Sequence, residues 1–206
     1  MNERMDRSII SIAKQEEFDK MDELYWEKAT VREKLETITY LRECFYGEEA
    51  TTRVLQRTQA DFKEFIQCLN NHNVKYLLLG GWAVGIYGQP RATKDIDFLI
   101  LKDDDNLIKL GKALNEFGAP PVDLNAFKED GYVIRMGSSP ILIDIINKAD
   151  GIDFNNCYNK REIIKIEDID VSVISLKDLI INKKASGRGQ DTVDAEKLEK
   201  IMFEKI

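Results

Sequence analysis

The stretch that decides the fold is KYLLLGGWAVGIYGQPRATKDIDFLIL, residues 75–101. It opens with a short apolar run that Gly80 and Gly81 interrupt. An apolar run closed by glycine predicts a buried strand, and the residues after it predict a helix over about 81–87. The glycines let the backbone approach a ligand closely, and a helix start offers N–H groups to phosphate. Alone, a Gly-Gly pair is a weak signal, because tight turns use glycine for other reasons.

The second half of the stretch predicts a strand over residues 95–101 with a paired acidic face. Strand alternation places Asp95 and Asp97 on one face and Ile96 and Phe98 on the other. Two carboxylates about 6–7 Å apart on one strand face repel each other. A divalent cation would turn that repulsion into coordination, and oxygen ligands suit magnesium. An exposed strand edge would explain the same pair without a function.

A third aspartate interrupts the apolar run ILIDII, residues 141–146. Such a run is typical of a central strand that is buried on both faces. A buried carboxylate costs several kcal/mol unless it is protonated, paired or bound to a cation. We therefore predict that Asp144 points to the same place as Asp95 and Asp97. The alternatives are a hydrogen-bonded buried carboxylate and an exposed strand end.

The amino-acid composition of the chain changes near residue 70. The first 70 residues contain no proline and a single glycine, Gly47, which predicts that they are almost entirely helical. Thr30 and Glu33 form a capping box, and Ser175 and Asp178 form another. Residues 75–174 are expected to form one mixed sheet. The predicted strands cover residues 132–136, 141–146, 162–166 and 170–174, and the predicted helices cover Phe18–Tyr25, Val31–Phe45, Phe62–Leu69, 104–117, 175–187 and 191–204.

Composition excludes several classes of protein. Hydrophobic residues make up 43% of the 206 residues, which is enough for a core and too much for a disordered chain. No apolar run reaches the roughly 18 residues of a membrane span, and the N-terminus does not resemble a signal peptide. A cytoplasmic location is therefore expected. The net charge of −7 argues against broad non-specific DNA binding.

Metal or redox sites built on cysteine or histidine are not expected. The three cysteines lie far apart without a CxxC pair, and we interpret them as buried thiols. The single histidine, His72, stands in an asparagine-rich stretch typical of the turn after a helix. We expect it to be a surface residue.

The order of the motifs resembles the nucleotidyltransferase superfamily, the fold of DNA polymerase beta and of many bacterial minimal nucleotidyltransferases. The resemblance covers about residues 60–205. The segments 80–84, 88–97 and 175–191 are similar to a small bacterial branch related to abortive-infection and toxin–antitoxin nucleotidyltransferases. The matching motifs are Leu79-Gly80-Gly81, Asp95-Ile96-Asp97 and Ile143-Asp144-Ile145.

The resemblance implies an α/β (α+β) nucleotidyltransferase fold, with a mixed sheet flanked by helices and preceded by an all-helical N-terminal region. We predict two units, a helical N-terminal module over residues 1–58 and a nucleotidyltransferase domain over residues 59–206. Parts of the module are similar to short helical proteins that neighbour such enzymes. An alternative is an interaction protein in which residues 1–58 perform the function.

The resemblance also implies the site. Asp95, Asp97 and Asp144 would be the catalytic residues and would hold Mg²⁺ or Mn²⁺. For each basic candidate the alternative is a solvated surface charge, and Lys183 is favoured because it matches the family's helix position. Trp82 could stack on a base, but a core role is favoured. The predicted phosphate-binding residues are Gly80, Gly81, Arg91, Lys183 and Arg188, with Lys94 and Lys184 as further candidates.

The implied reaction moves a nucleoside monophosphate from a nucleoside triphosphate, such as ATP, to a hydroxyl of RNA, protein or a small molecule. A toxin–antitoxin or phage-defence setting fits the branch, no membrane partner is expected, and a homodimer stays open. The alternative is a non-catalytic nucleotide- or protein-binding module. The acidic triad favours the enzyme, and the lack of an evident large domain to grip the acceptor favours the module. The sequence also departs from the family pattern at Gly81, where many active members carry serine.

Overall fold

A computed structural model describes residues 5–30, 33, 52–88, 95–138, 141–166 and 168–204. The predicted helix over Val31–Phe45 and its end at Gly47 lie outside the described residues, as do Cys44, Arg91 and Lys94. Among the described residues, no helix is long and apolar enough to cross a membrane.

The predicted strands and helices after residue 75 occur in the expected order, and the structure adds a strand at Ile10–Lys14, a helix at Phe154–Asn159 and a 3₁₀ turn at Ala126–Lys128. The predicted boundaries of the elements after residue 75 agree with the observed ones to within a few residues. In chain order the elements are β1 (Ile10–Lys14), α1 (Gln15–Lys28), α2 (Thr52–Asn71), β2 (Tyr76–Leu79), α3 (Gly80–Ile86), β3 (Asp95–Ile100), α4 (Asp104–Phe117), a 3₁₀ turn (Ala126–Lys128), β4 (Tyr132–Ser138), β5 (Ile141–Ile146), α5 (Phe154–Asn159), β6 (Glu162–Ile166), β7 (Ile169–Val173), α6 (Leu176–Ser186) and α7 (Gly189–Glu204).

The described strands form one seven-stranded mixed sheet in the order β1-β4-β5-β3-β2-β7-β6. The pairs β3–β5 and β2–β7 are parallel, and the other neighbouring pairs are antiparallel. The predicted fold class, a mixed sheet flanked by helices, is confirmed.

Strand β1 corrects the prediction that the N-terminal region is all-helical. Ile10–Lys14 pairs antiparallel with β4 along its whole length, and Ser11 lies opposite Arg135. An edge strand of this kind is stabilised by cross-strand contacts with a distant part of the chain, so local composition does not reveal it. The predicted unit boundary after residue 58 stays a prediction, although β1 belongs to the same sheet as the later strands.

An aromatic core holds α2 and α4 against one face of the sheet. Phe65 of α2 makes edge-on contacts with Phe98 of β3 at 5.3 Å and with Phe117 of α4 at 5.1 Å between ring centroids. All three side chains are fully buried. Side chains alternate along a strand. Since Phe98 faces this core, the side chains of Asp95 and Asp97 leave the opposite face of the sheet.

Local signals fix the helix ends as the sequence predicts. The Ser175 side chain accepts a hydrogen bond from the Asp178 backbone N–H at 3.2 Å, which caps α6. At the other end of α6, Gly187 adopts the left-handed conformation. The Thr30–Glu33 capping box also forms, since the Thr30 N–H donates to the Glu33 carboxylate and the Glu33 N–H donates to the Thr30 hydroxyl.

Candidate active site

Three carboxylates converge at the centre of the sheet. Asp97 of β3 lies beside Asp144 of β5 in parallel register, so both side chains leave the same face. Asp95, two residues earlier on β3, also leaves that face. One carboxylate oxygen of each residue lies within 4.8 Å of the others. The predicted convergence of the three residues is confirmed.

Asp144 is held by a basic residue that the sequence analysis missed. The Arg135 Nε donates to Asp144 Oδ1 at 2.8 Å, and Arg135 Nη2 donates to Asp144 Oδ2 at 2.7 Å. The side chains of Arg135 and Asp144 are only 10% and 5% exposed. This is the two-pronged geometry that a guanidinium makes with a carboxylate. A signal was present, because Arg135 is a lone charge in the apolar strand β4, as Asp144 is in β5.

The surroundings pull the pKa of Asp144 in two directions. Burial raises the pKa, and the nearby charges of Asp95 and Asp22 raise it further, while the hydrogen bonds and charge of Arg135 oppose the increase. The net result is a pKa above the ordinary value for aspartate. For Arg135, burial lowers the pKa, but the hydrogen bonds and charge of Asp144 outweigh that effect and raise it.

Asp97 is seated directly against the Gly-Gly turn. Gly80 has φ +67°, and a Cβ added there would lie 1.8 Å from Asp97 Oδ2. Any side chain at position 80 would therefore overlap the carboxylate, which explains why glycine is needed at this point of the turn. Gly81 is buried in the first turn of α3. Trp82 packs edge-on against Phe62 at 5.4 Å between centroids, as expected for a packing role.

Gly80→Ala is expected to destabilise the protein and displace the Asp97 carboxylate. A left-handed alanine costs about 1–2 kcal/mol, and the overlap with Asp97 adds to that cost. Gly187→Ala is the matched control, because Gly187 also has φ +67° but nothing lies within 4 Å of its added Cβ. Thermal melting of both variants measures the difference. Equal losses of stability would show that Asp97 does not occupy the space beside Gly80.

Lys183 is a buried ion-pair residue, so the alternative of a solvated surface charge is wrong for it. Its side chain is 6% exposed, and its Nζ lies 2.5 Å from Asp191 Oδ1 and 3.9 Å from Asp194 Oδ2. The Ser186 hydroxyl donates to Asp191 Oδ2 at 2.6 Å. Burial raises the pKa of Asp191, but the hydrogen bonds from Lys183 and Ser186 prevail and lower it overall. These contacts join α6 to α7.

The other basic candidates differ in exposure. Lys184 is 55% exposed and pairs with Glu199 at 2.6 Å, as expected for a surface charge. Arg188 is 65% exposed, and its Nη2 lies 3.9 Å from Asp19 Oδ2 of α1. Arg188 is thus accessible to a ligand. Binding of phosphate by Lys183, Arg188 or Arg91 stays a prediction.

Lys183→Ala is expected to lower stability by about 3–5 kcal/mol, because it removes one partner of a buried ion pair. Lys184→Ala is the neighbouring control and should cost at most about 1 kcal/mol, as exposed pairs do. Denaturant unfolding at neutral pH measures both. A loss for Lys183→Ala no larger than that for Lys184→Ala would contradict the structural role.

Lowering the pH should reduce the difference in the free energy of unfolding between Lys183→Ala and the wild type. Because the pKa of Asp191 is lowered, its pairing stabilises the fold above the ordinary aspartate pKa of about 3.9. That stabilisation is lost as the pH falls through the lower pKa of the folded state. Unfolding curves recorded from neutral pH to below about pH 4 measure this change.

Comparisons with known proteins point to one family. A family model described as "Nucleotidyltransferase of unknown function (DUF6036)" matches residues 55–205, almost three quarters of the chain. None of the curated proteins compared with the chain matches it.

Several solved structures are similar at low sequence identity. The lincosamide antibiotic adenylyltransferase LnuA is 18% identical, with 69% of this chain and 97% of that chain covered and a TM-score of 0.48. ANT(2'')-Ia in complex with adenylyl-2''-tobramycin is 15% identical, with 72% and 94% covered and a TM-score of 0.43. An antigenic nucleotidyltransferase-like protein from Paracoccidioides brasiliensis is 18% identical, with 70% and 74% covered and a TM-score of 0.45.

Proposed function

This chain belongs to the nucleotidyltransferase family DUF6036, and from that premise we propose that it moves a nucleoside monophosphate from a nucleoside triphosphate to a hydroxyl acceptor. The observation that supports the proposal most strongly is the convergence of Asp95, Asp97 and Asp144 at one point of the sheet. Phosphoryl transfer depends mainly on positioning and on neutralising charge, so a cluster of carboxylates beside a glycine turn suits it.

The donor set fits a hard divalent cation. Three carboxylates offer only oxygen ligands, which favours Mg²⁺ or Mn²⁺ over softer metals. Asp95, Asp97 and Asp144 would hold the ion. When bound, such an ion supplies charge neutralisation to the triphosphate and polarises the reacting phosphoryl group.

The residues of the chain then have distinct tasks. An acceptor hydroxyl oxygen forms a bond to the α-phosphorus, and the bond from that phosphorus to the oxygen bridging to the β-phosphorus breaks. Pyrophosphate leaves with the electron pair. Asp144 accepts the hydroxyl proton, as a carboxylate placed beside the reacting groups can do. The backbone at Gly80 and Gly81 lets the triphosphate approach closely.

Phosphate contacts from basic side chains belong to the same proposal. Arg188 is the most accessible of the described candidates. Lys183 would have to share its ammonium group with Asp191. The nucleotide is taken to be ATP for a first test, and the acceptor is RNA, a protein or a small molecule. A toxin–antitoxin or phage-defence setting is proposed from the sequence resemblance alone.

One observation favours a second candidate, a non-catalytic nucleotide-binding module. Both carboxylate oxygens of Asp144 already accept hydrogen bonds from Arg135. A module of this kind would bind the triphosphate without consuming it. The two candidates differ in the fate of the α-phosphate.

The test uses ATP labelled on the α- or the γ-phosphorus, with Mg²⁺, the protein and candidate acceptors. Transfer of the monophosphate predicts α-label on the acceptor and γ-label in released pyrophosphate. Label from the γ position on the acceptor would indicate a kinase instead. Clear binding without release of pyrophosphate, across all four triphosphates and every acceptor class, would favour the binding module.

A further inference from the structure

The N-terminal segment reaches the proposed active site although it lies outside the region that the family model matches. That match begins at residue 55. Strand β1 nevertheless extends the sheet beside β4, with Ser11 opposite Arg135, and Arg135 is in turn opposite Asp144. Helix α1 begins directly after β1. The chain therefore leads from the sheet edge to a helix beside the acidic site.

Helix α1 contacts the guanidinium of Arg135 in two ways. Arg135 Nη1 donates to Asp22 Oδ1 at 3.0 Å. The Arg135 guanidinium carbon lies 4.6 Å from the ring centroid of Phe18, one helical turn earlier, and Phe18 is 2% exposed. The Nε and Nη2 atoms of Arg135 donate hydrogen bonds to Asp144. One guanidinium thus joins α1 to a carboxylate of the site.

This geometry makes two carboxylates share one guanidinium. Each Asp144 oxygen accepts one hydrogen bond from Arg135 and keeps a further lone pair for a cation or a proton, but the positive charge of Arg135 opposes the binding of either. Asp22 attracts the same guanidinium from the other side and weakens its hold on Asp144. The Phe18 ring lies against the guanidinium at a distance at which an aromatic ring attracts a cation. The balance between Asp22 and Asp144 therefore sets how available the Asp144 oxygens are.

We infer that Asp22 is a positioning residue for the proposed transfer reaction, acting on Asp144 through Arg135, and that α1 is a wall of the active site. This inference rests on the proposed function. Outer partners of this kind orient the residues that hold a metal, and their replacement usually costs ten- to a hundredfold in metal affinity or activity. Asp22 would thus contribute without touching the substrate.

The test compares Asp22→Asn with two other variants of the full chain. Asp22→Glu keeps the charge. Glu23→Gln removes the same charge from the next position, where the side chain is exposed. Two readouts are measured, binding of Mn²⁺ alone by electron paramagnetic resonance, and kcat and KM for ATP in the transfer assay.

Asp22→Asn should weaken Mn²⁺ binding about tenfold and lower kcat about tenfold or more, with KM for ATP changed less than about threefold. Asp22→Glu should keep most of the Mn²⁺ affinity and most of the kcat of the wild type. Glu23→Gln should resemble the wild type. A purely structural role for Asp22 would lower the melting temperature without moving Mn²⁺ affinity. That result, or equal effects of Asp22→Asn and Glu23→Gln, would overturn the inference.

The same data separate this inference from the proposed function. If Mn²⁺ binding and transfer both depend on Asp97 but not on Asp22, the function stands and the role of α1 is wrong. If the wild type neither binds Mn²⁺ through Asp97 nor transfers a nucleotide, both are wrong.

Discussion

Asp97→Asn is expected to abolish the thermal stabilisation that Mg²⁺ and ATP give to the wild-type protein. Asp97 is central to the site, because it lies beside Asp144, close to Asp95 and against Gly80. Asparagine has nearly the same shape but lacks the charge that binds a cation. A ligand at 100 times its dissociation constant stabilises a protein by about 2.7 kcal/mol, and that gain should disappear. Transfer should disappear with it.

Thermal melting with and without Mg²⁺ and ATP measures this effect. Asp105→Asn is the control, since it makes the same chemical change at an exposed residue of α4. It should keep the full ligand-induced shift. An unchanged shift in Asp97→Asn would place the cation elsewhere on the protein.

Asp144→Asn is expected to lower transfer at least about a hundredfold, the low end for the loss of a general base. Binding of ATP should change far less, because Asp144 acts in the transition state rather than in holding the nucleotide. The structure adds a second effect. Replacement of Asp144 removes one partner of a buried pair with Arg135, so the variant should also be less stable. The loss of activity therefore has to be measured well below the melting temperature of the variant.

Two measurements separate chemistry from binding in Asp144→Asn. Release of pyrophosphate reports transfer, and calorimetric titration with a non-hydrolysable ATP analogue reports binding. Equal release by the variant and the wild type would remove Asp144 from the mechanism. A parallel loss of both binding and transfer would show that Asp144 acts mainly in the ground state.

Much of the fold could be predicted because the local signals agree with the final structure. The apolar run before Gly80 does form β2, and the alternation around Asp95 and Asp97 does form β3. The capping box at Ser175 and the glycine at position 187 delimit α6. These features act within a few residues of chain, where sequence patterns are informative.

The elements that were missed either depend on distant partners or are too short to show a periodic pattern. Strand β1 forms by pairing with β4, and no glycine or proline marks it in the sequence. The short helix α5 is capped by Asp153, which accepts a hydrogen bond from the Asn156 N–H at 2.9 Å. That cap could have been recognised, but six residues give too little periodicity to identify a helix.

The site could be predicted only in part, because some of its residues come together only when distant strands pair. Asp144 was identifiable because a single carboxylate in an apolar strand needs a partner or a cation. Its neighbours on β3 followed from alternation. Arg135 required the register between β4 and β5, and Asp22 lies 113 positions before Arg135 in the chain. A contact of that kind is a property of the assembled sheet and not of any local motif.

The most direct test of the central claim is an anomalous diffraction measurement on crystals grown with Mn²⁺ and a non-hydrolysable ATP analogue. The account predicts a manganese peak in contact with the carboxylates of Asp95 and Asp97, with the triphosphate beside Gly80 and Gly81. A manganese peak away from these carboxylates, or a nucleotide bound with no metal at the three aspartates, would contradict it.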